Sequence, residues 1–315
     1  MMLEDRWLRE TYVDLLVEYA KKDERIVLVE ADLMRAAGTL RFGAEFPQRI
    51  VNVGVAEANM IGVAAGMSTM GKLPFTHTFT PFATRRVCDQ VTLSVAYAGL
   101  NVKMMGSDPG VTAEYNGGTH MSMEDVSIMR NIPGMVICEP VDSVQLAELF
   151  PQILEYDGPV YIRLLRRNAV KIYESGDEFR LGKGVLVRGG SDVTIVASGI
   201  MVAEALEAEE VLKGLGISAE IIDIHTIKPL DEEMIIKSAK KTGIVVVAEN
   251  HSVIGGLGSA VSECLGEKCP VLMKRVGVKD HFGEVGLTPF LKEKYGLTKE
   301  EIVKTAKILL ESKKG

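Results

Sequence analysis

The sequence has no long apolar run, no cluster of basic residues and no closely paired cysteines, and each absence removes a class of function. None of its apolar stretches reaches the roughly 20 residues that a membrane-spanning helix needs. Its 36 Lys and Arg are outnumbered by 43 Asp and Glu, for a net charge of −7. Basic residues form no run longer than a pair, as at Lys313-Lys314, so neither nucleic acid nor an anionic membrane is an expected partner. The opening residues, Met1 to Glu10, lack the apolar core of a secretory signal, and a cytoplasmic protein is expected. Cys88, Cys138, Cys264 and Cys269 form no Cys-x-x-Cys pair, which predicts buried free thiols and no metal site. The cluster Gly255-Gly256-Leu257-Gly258 has neither the lysine of a P-loop nor a full dinucleotide fingerprint.

What remains is a chain of 315 residues, 47% hydrophobic, long enough for two domains with sizeable cores. Apolar strand-like runs alternate with helical patterns, the signature of parallel α/β domains. In the first half the pattern predicts helices over 4–22, 56–70, 81–98, 123–130 and from about 143 to 154, the last capped by Asp142 or Ser143. Strands are expected at 25–30, 50–53, 102–105, 135–139 and 159–165. Periodicity fades after Lys171 while Gly and charge increase. The expected units are therefore an α/β domain over 1–172, a linker over 173–190 and a second α/β domain over 191–315. Strands at 193–198, 219–224, 244–249 and 271–276 and helices near 201–215, 231–241, 257–265 and 298–311 fill the latter.

One stretch organises the first domain. After the strand ending at Val53, Gly54 turns the chain into a helix rich in Ala and Gly. Gly62 and Gly66 lower its propensity but let another backbone approach, so this helix predicts a partner surface. Glu57 stands in its first turn, where the helix dipole favours a carboxylate. By composition alone it reads equally well as a solvated helix-start charge. The segment from Gly106 to His120 is polar, Gly-rich and too long for a plain connection, as functional loops are.

Gly-Val-Ala-Glu-Ala-Asn-Met at 54–60, Leu-Pro-Phe-Thr-His-Thr-Phe at 73–79 and Phe82 resemble the pyrimidine-binding domain of transketolases. The resemblance implies that Glu57 shares a proton with the aminopyrimidine ring of thiamine diphosphate and that Phe79 and Phe82 pocket that ring. Arg85 stands where many relatives carry a third aromatic. Ala31-Asp32-Leu33 is similar to a family motif that makes Asp32 a carboxylate at the edge of the cofactor site; by itself Asp32 reads equally as a turn residue. Gly-Gly-Thr-His at 117–120 implies that His120 contacts the reacting substrate, with Asn116 at a place where relatives have an Asp for sugar hydroxyls. Leu-Arg-Arg-Asn at 165–168 is similar to the element whose Arg grips a sugar phosphate, a role that falls to Arg166. Ser107 replaces a phosphate-binding His, Ala36 falls where a Ser is common, and Arg9 aligns with a further anion-binding position.

Residues 275–284 and 292–310 resemble the transketolase C-terminal domain, which implies packing and dimerisation there. The Gly-Asp-Gly…Asn motif that binds the diphosphate and its Mg2+ or Ca2+ is absent. The chain thus resembles the C-terminal subunit of a split transketolase. That implies transfer of a two-carbon ketol unit between sugar phosphates, as in pentose phosphate metabolism. It also implies an N-terminal partner carrying the missing motif, a twofold dimer of this chain, and a heterotetramer overall. Two alternatives stand beside it: the beta subunit of a 2-oxo acid dehydrogenase, and a non-catalytic binding protein that retains the fold.

Overall fold

The buried strand runs become two sheets in the computed structural model, which describes residues 1–314. The first part of the chain supplies β1 (Ile26–Glu30), β2 (Ile50–Asn52), β3 (Leu73–Phe79), β4 (Lys103–Ser107), β5 (Val136–Cys138) and β6 (Val160–Leu164). They lie in the order β5-β6-β4-β3-β1-β2, every pair parallel. Then β7 (Val185–Arg188), β8 (Val193–Ala197) and β9 (Ala219–Asp223) begin a second sheet. The next strand, β10 (Thr226–Lys228), leaves that sheet to pair antiparallel with β5 of the first. With β11 (Ile244–Ser252) and β12 (Leu272–Val278) the second sheet reads β12-β11-β8-β9-β7, its β7 edge antiparallel. Two mixed α/β units result, sharing one strand.

Every residue of β1, β3, β4 and β6 is buried, because helices cover both faces of the sheet. Leu8–Lys22 and Ser143–Glu155 pack on one face, where Tyr12 and Phe75 each meet Phe150. Glu57–Thr69 lies on the other, with Met60, Ile61 and Ala64 against Val29 and Met104. Asp142 caps Ser143–Glu155 by accepting the Gln145 N–H at 2.9 Å. On the outer side of Glu57–Thr69, Gly62 and Gly66 have no atom within 4 Å of where a Cβ would stand. That leaves the small-residue surface expected from the sequence open.

Three elements differ from the sequence pattern. The helix expected over 81–98 breaks at Thr84 (φ −126°, ψ −80°), whose Oγ1 donates back to the Thr80 carbonyl at 2.8 Å. A 3-10 turn at Arg85–Val87 follows, then a π-helical stretch at Val91–Tyr97. Such irregular turns occur often at functional sites. Leu73–Phe79 is a central strand although Pro74 and three polar or ionisable positions, Thr76, His77 and Thr78, disguise it. The stretch 173–190 contains β7, and Tyr173 and Phe179 within it are buried with ring centroids 4.6 Å apart.

The units are fastened by a buried ion cluster. Arg163 on β6 donates to Asp125 at 2.7 Å, to Glu139, and to the Asn250 carbonyl of β11 at 2.7 Å. Asn250 also clamps the start of the glycine-rich loop, accepting the Val111 N–H at 3.0 Å and donating to the Pro109 carbonyl at 2.9 Å. Only glycine fits at position 110, where φ is +53° and a Cβ would fall 2.3 Å from Asn250 Oδ1.

Candidate active site

Parallel strands in register deliver their carboxyl ends to one edge, the place where open α/β sheets bind ligands. Phe79, the last residue of β3, pairs with Ser107 at the end of β4, and Ser107 with Leu164 at the end of β6. Beyond them follow Phe82, Asp108 and Arg166. The opposing helix Glu57–Thr69 begins with Glu57, only 4% exposed. Arg86 donates to Glu57 Oε1 at 2.7 Å, and its guanidinium lies 3.8 Å above the centre of the Phe82 ring. A planar, nitrogen-bearing group that stacks on Phe82 and hydrogen-bonds Glu57 is therefore accommodated, since the guanidinium itself does both.

The glycine-rich loop closes this pocket from the side. His120 stands edge-on to Phe82 at 5.0 Å and to Phe79 at 5.7 Å, and its Nδ1 lies 2.9 Å from Thr119 Oγ1. Partial burial, then the charge of Arg86, push its imidazole below the ordinary value, so it is neutral at physiological pH. Arg85, in the place of a third aromatic, instead ties the loop down through Glu124 at 2.9 Å and the Thr119 carbonyl at 3.4 Å. Glu114 (φ +49°) accepts from Thr288 Oγ1 at 2.7 Å and pairs with Arg167 at 2.8 Å, anchoring the loop to the second unit.

A second group of side chains surrounds Arg166. Its Nε lies 2.8 Å from Asp108 Oδ2, without hydrogen-bond alignment, and its guanidinium is 5.6 Å from the Phe79 ring centre. Arg9 comes alongside because the start of its helix docks on the chain after β6: the Leu8 N–H donates to the Arg167 carbonyl at 2.9 Å, and the Arg9 N–H to the Arg166 carbonyl at 3.4 Å. The Arg9 side chain bonds the Ala36 carbonyl and lies 4.2 Å from the Trp7 ring centre. Ser107 is buried at the strand end, where its carbonyl accepts from Thr80 Oγ1 at 2.6 Å.

Glu57, Phe79, Phe82 and His120 thus converge, with Arg166, Arg9 and Ser107 bordering them. Asn116 and Asp32 are more remote. Asn116 is exposed at the end of a 3-10 turn. Asp32 is exposed in a left-handed conformation (φ +63°), held by the Asn52 side chain accepting its N–H at 3.0 Å. Sequence patterns did not single out Arg86, because an exposed-looking Arg-Arg pair reads as surface charge. They also left Asp108 and His77 without a role; both are buried. A half-open cavity of about 430 Å³ is lined by Arg167, Thr112, Asn168 and Lys292 among others, and none of the four converging residues lines it. The Gly256–Gly258 turn is filled by its own chain: Glu249 accepts the N–H groups of Leu257 and Gly258 at 2.7 and 2.9 Å. Among the described residues no group of three or more His, Cys, Asp or Glu is arranged to hold a metal ion.

Comparison with known proteins agrees with this fold. Residues 6–171 match the family model "Transketolase, pyrimidine binding domain", and residues 182–302 match "Transketolase, C-terminal domain". The chain is 70% identical over 311 residues to the 6-deoxy-6-sulfo-D-fructose transketolase subunit SqwH of Clostridium sp. (strain MSTE9), covering 99% of this chain and 97% of that one. It is 44% identical over 310 residues to a putative transketolase C-terminal section of Methanocaldococcus jannaschii, covering 98% and 96%. A solved structure described as a split gene transketolase, inactive beta4 tetramer, superposes with a TM-score of 0.88 at 42% identity, over 96% of this chain and 98% of that one.

Proposed function

Because the chain belongs to the transketolase family, we propose that it is the pyrimidine-binding subunit of a two-chain, thiamine diphosphate-dependent transketolase whose donor is a sulfonated ketose. The observation that carries the cofactor half of this reading is the Glu57–Phe82–His120 cluster, where the planar Arg86 guanidinium already stacks on Phe82 and hydrogen-bonds Glu57. The sulfonate half rests on the 70% identical relative, named for 6-deoxy-6-sulfo-D-fructose. Removing a two-carbon ketol unit from such a donor leaves a four-carbon aldose that keeps the sulfonate, and an acceptor aldose gains the two carbons. Sugar phosphates remain the acceptors that the family suggests.

Thiamine diphosphate, when bound, supplies the carbon that accepts the ketol unit. Glu57 would hold the proton at the pyrimidine ring nitrogen, its buried carboxyl fixed at the start of Glu57–Thr69. Phe82 and Phe79 would stack and border the ring, and Arg86 would yield its place. His120, neutral and pressed against both rings, is positioned to hold or pass a proton at the sugar oxygens. Arg166 and Arg9 would bind the anionic end of the donor, with Ser107 beside them and Asn116 reaching the hydroxyls from the loop. Asp32 would serve as a carboxylate at the rim.

The diphosphate and its Mg2+ or Ca2+ are assigned to an N-terminal partner bearing Gly-Asp-Gly…Asn, which this sequence lacks. Two copies of each chain would make the working assembly, with the open Gly62–Gly66 surface a natural docking face. Mixing this chain with such a partner and an acceptor aldose phosphate, and following sulfonated-ketose consumption with and without thiamine diphosphate, tests the proposal.

A further inference from the structure

His77 is the residue of this site to which neither the family resemblance nor the cofactor chemistry gives a task. It lies in β3, two positions before Phe79, in register with Glu30 of β1 and Met105 of β4. Only 2% of it is exposed, and the Tyr12 ring meets it edge-on at 5.9 Å. A polar ring in the middle of a fully buried strand costs stability unless it has partners.

Here it has none. His77 Nδ1 has no hydrogen-bond partner, and the same is true of Tyr12 Oη, Glu30 Oε2, Arg9 Nε, Arg166 Nε and both oxygens of Asp108. Seven of the 14 buried side-chain atoms without a hydrogen bond among the described residues therefore belong to this one neighbourhood, and only two of the seven, Arg166 Nε and Asp108 Oδ2, face each other as an ion pair. Native proteins leave few such atoms, so a concentration of them points to a polar ligand that completes the set. Its charge can be read as well. Arg9 and Arg166 contribute two positive charges, Asp108 returns one negative charge at 2.8 Å from Arg166, and Arg167 is already paired with Glu114. Burial, reinforced by Arg9 and Arg166, pushes the His77 imidazole down to about 3, so it supplies a hydrogen-bond donor and no charge.

We propose that His77 determines specificity for the donor's anionic end: with Arg9 and Arg166 it forms a site of net charge +1 that takes a tetrahedral monoanion, as a sulfonate is, in preference to a phosphate dianion. The sulfonate reading above is the basis of this assignment. A sulfonate keeps a single negative charge and three acceptor oxygens throughout the physiological range. A phosphate monoester carries about −1.5 to −2 at pH 7 and leaves negative charge unmatched beside Asp108. A neutral donor in this position adds a bond to the third oxygen without raising the charge of the site.

The test uses the assembled complex and three donor ketoses differing only at C6: sulfonate, phosphate and hydroxyl. Wild type is compared with His77→Phe, which keeps the ring volume without a donor, and with His77→Asn, which restores a neutral donor. His77→Phe is expected to raise KM for the sulfonate-ended donor about 10-fold relative to the hydroxyl-ended one, and His77→Asn to recover most of the loss. Equal KM changes on charged and uncharged donors, or no recovery in His77→Asn, overturn the role of His77. Wild-type preference for the phosphate-ended donor instead overturns the sulfonate reading, and the charged-to-uncharged KM ratio in His77→Phe still judges His77. If His77→Phe fails to assemble, His77→Leu is measured in its place against the same His77→Asn control, with the same ratio decisive.

Discussion

Arg86 and Glu57 are joined by a 2.7 Å hydrogen bond while the Arg86 guanidinium covers the Phe82 ring at 3.8 Å. One side chain of the free subunit thus makes both contacts proposed for the cofactor's pyrimidine. It must leave before the ring can enter. Arg86 is 44% exposed, so its ion pair with Glu57 is worth well under the value of a buried one. Adding the cation–π contact, the displaced interactions amount to about 1 kcal/mol.

Arg86→Ala should therefore lower the thiamine diphosphate concentration that half-saturates the complex by about fivefold, since 1.36 kcal/mol corresponds to a factor of ten. Titration of cofactor into apo complex, followed by activity and by calorimetry, reads this. A weaker affinity in the variant would make Arg86 a cofactor ligand and not an occupant to be displaced.

Glu57→Gln keeps the shape of the side chain but cannot take up or release the shared proton. Turnover should fall about 100- to 10,000-fold, the usual range for loss of an acid–base group. Thermal unfolding should barely change. NMR of proton exchange at the thiazolium carbon in the assembled complex isolates the step; wild-type exchange in Glu57→Gln would move the proton-sharing role to another residue.

Which of these features are legible in the sequence depends on what each residue's neighbours are. β1 and the helix at Glu57 follow from unbroken apolar or Ala-rich patterns, and Glu57, Phe79, Phe82 and His120 stand out because motif spacing ties them together. β3 does not, because Pro74, Thr76, His77 and Thr78 interrupt the apolar pattern of a strand whose positions are all buried. Those polar interruptions are themselves the mark of a site, since a strand covered on both faces normally carries only apolar side chains. Arg86 was invisible for a different reason: its direction is fixed by the break at Thr84, which no local periodicity announces. The contribution of Asn250 and Thr288 to the glycine-rich loop depends on packing between units, across more than 130 residues of sequence.

Arg163→Met should strip Asp125 and Glu139 of their cation in a site where Arg163 is 1% exposed. Breaking a buried pair from one side costs about 3–5 kcal/mol, because the remaining charges lack compensation. Urea unfolding should show that loss, with Arg163→Lys only partly restoring it. A cost under about 1 kcal/mol would mean that water already reaches the cluster.

Burial raises the Glu30 carboxyl to about 8, with the Thr39 hydroxyl only partly opposing the shift. A raised pKa means that the folded chain holds a proton the unfolded chain has lost, so this stability is present below about pH 4.5 and is lost as pH rises toward 8. Glu30→Gln removes the dependence. The difference in unfolding free energy should therefore move in favour of Glu30→Gln by up to about 1.36 kcal/mol per pH unit between 4.5 and 8, then level off. Parallel pH profiles for the two proteins would show that Glu30 is solvated.

The central claim is that this chain supplies half of a cofactor site, and one measurement addresses it directly. Turnover of 6-deoxy-6-sulfo-D-fructose is followed with an acceptor aldose phosphate, thiamine diphosphate and magnesium for this chain alone, for a partner bearing Gly-Asp-Gly…Asn alone, and for the two mixed. Activity is expected only in the mixture, abolished by omitting thiamine diphosphate. Turnover by the single chain, or turnover in the mixture that does not depend on thiamine diphosphate, would contradict it.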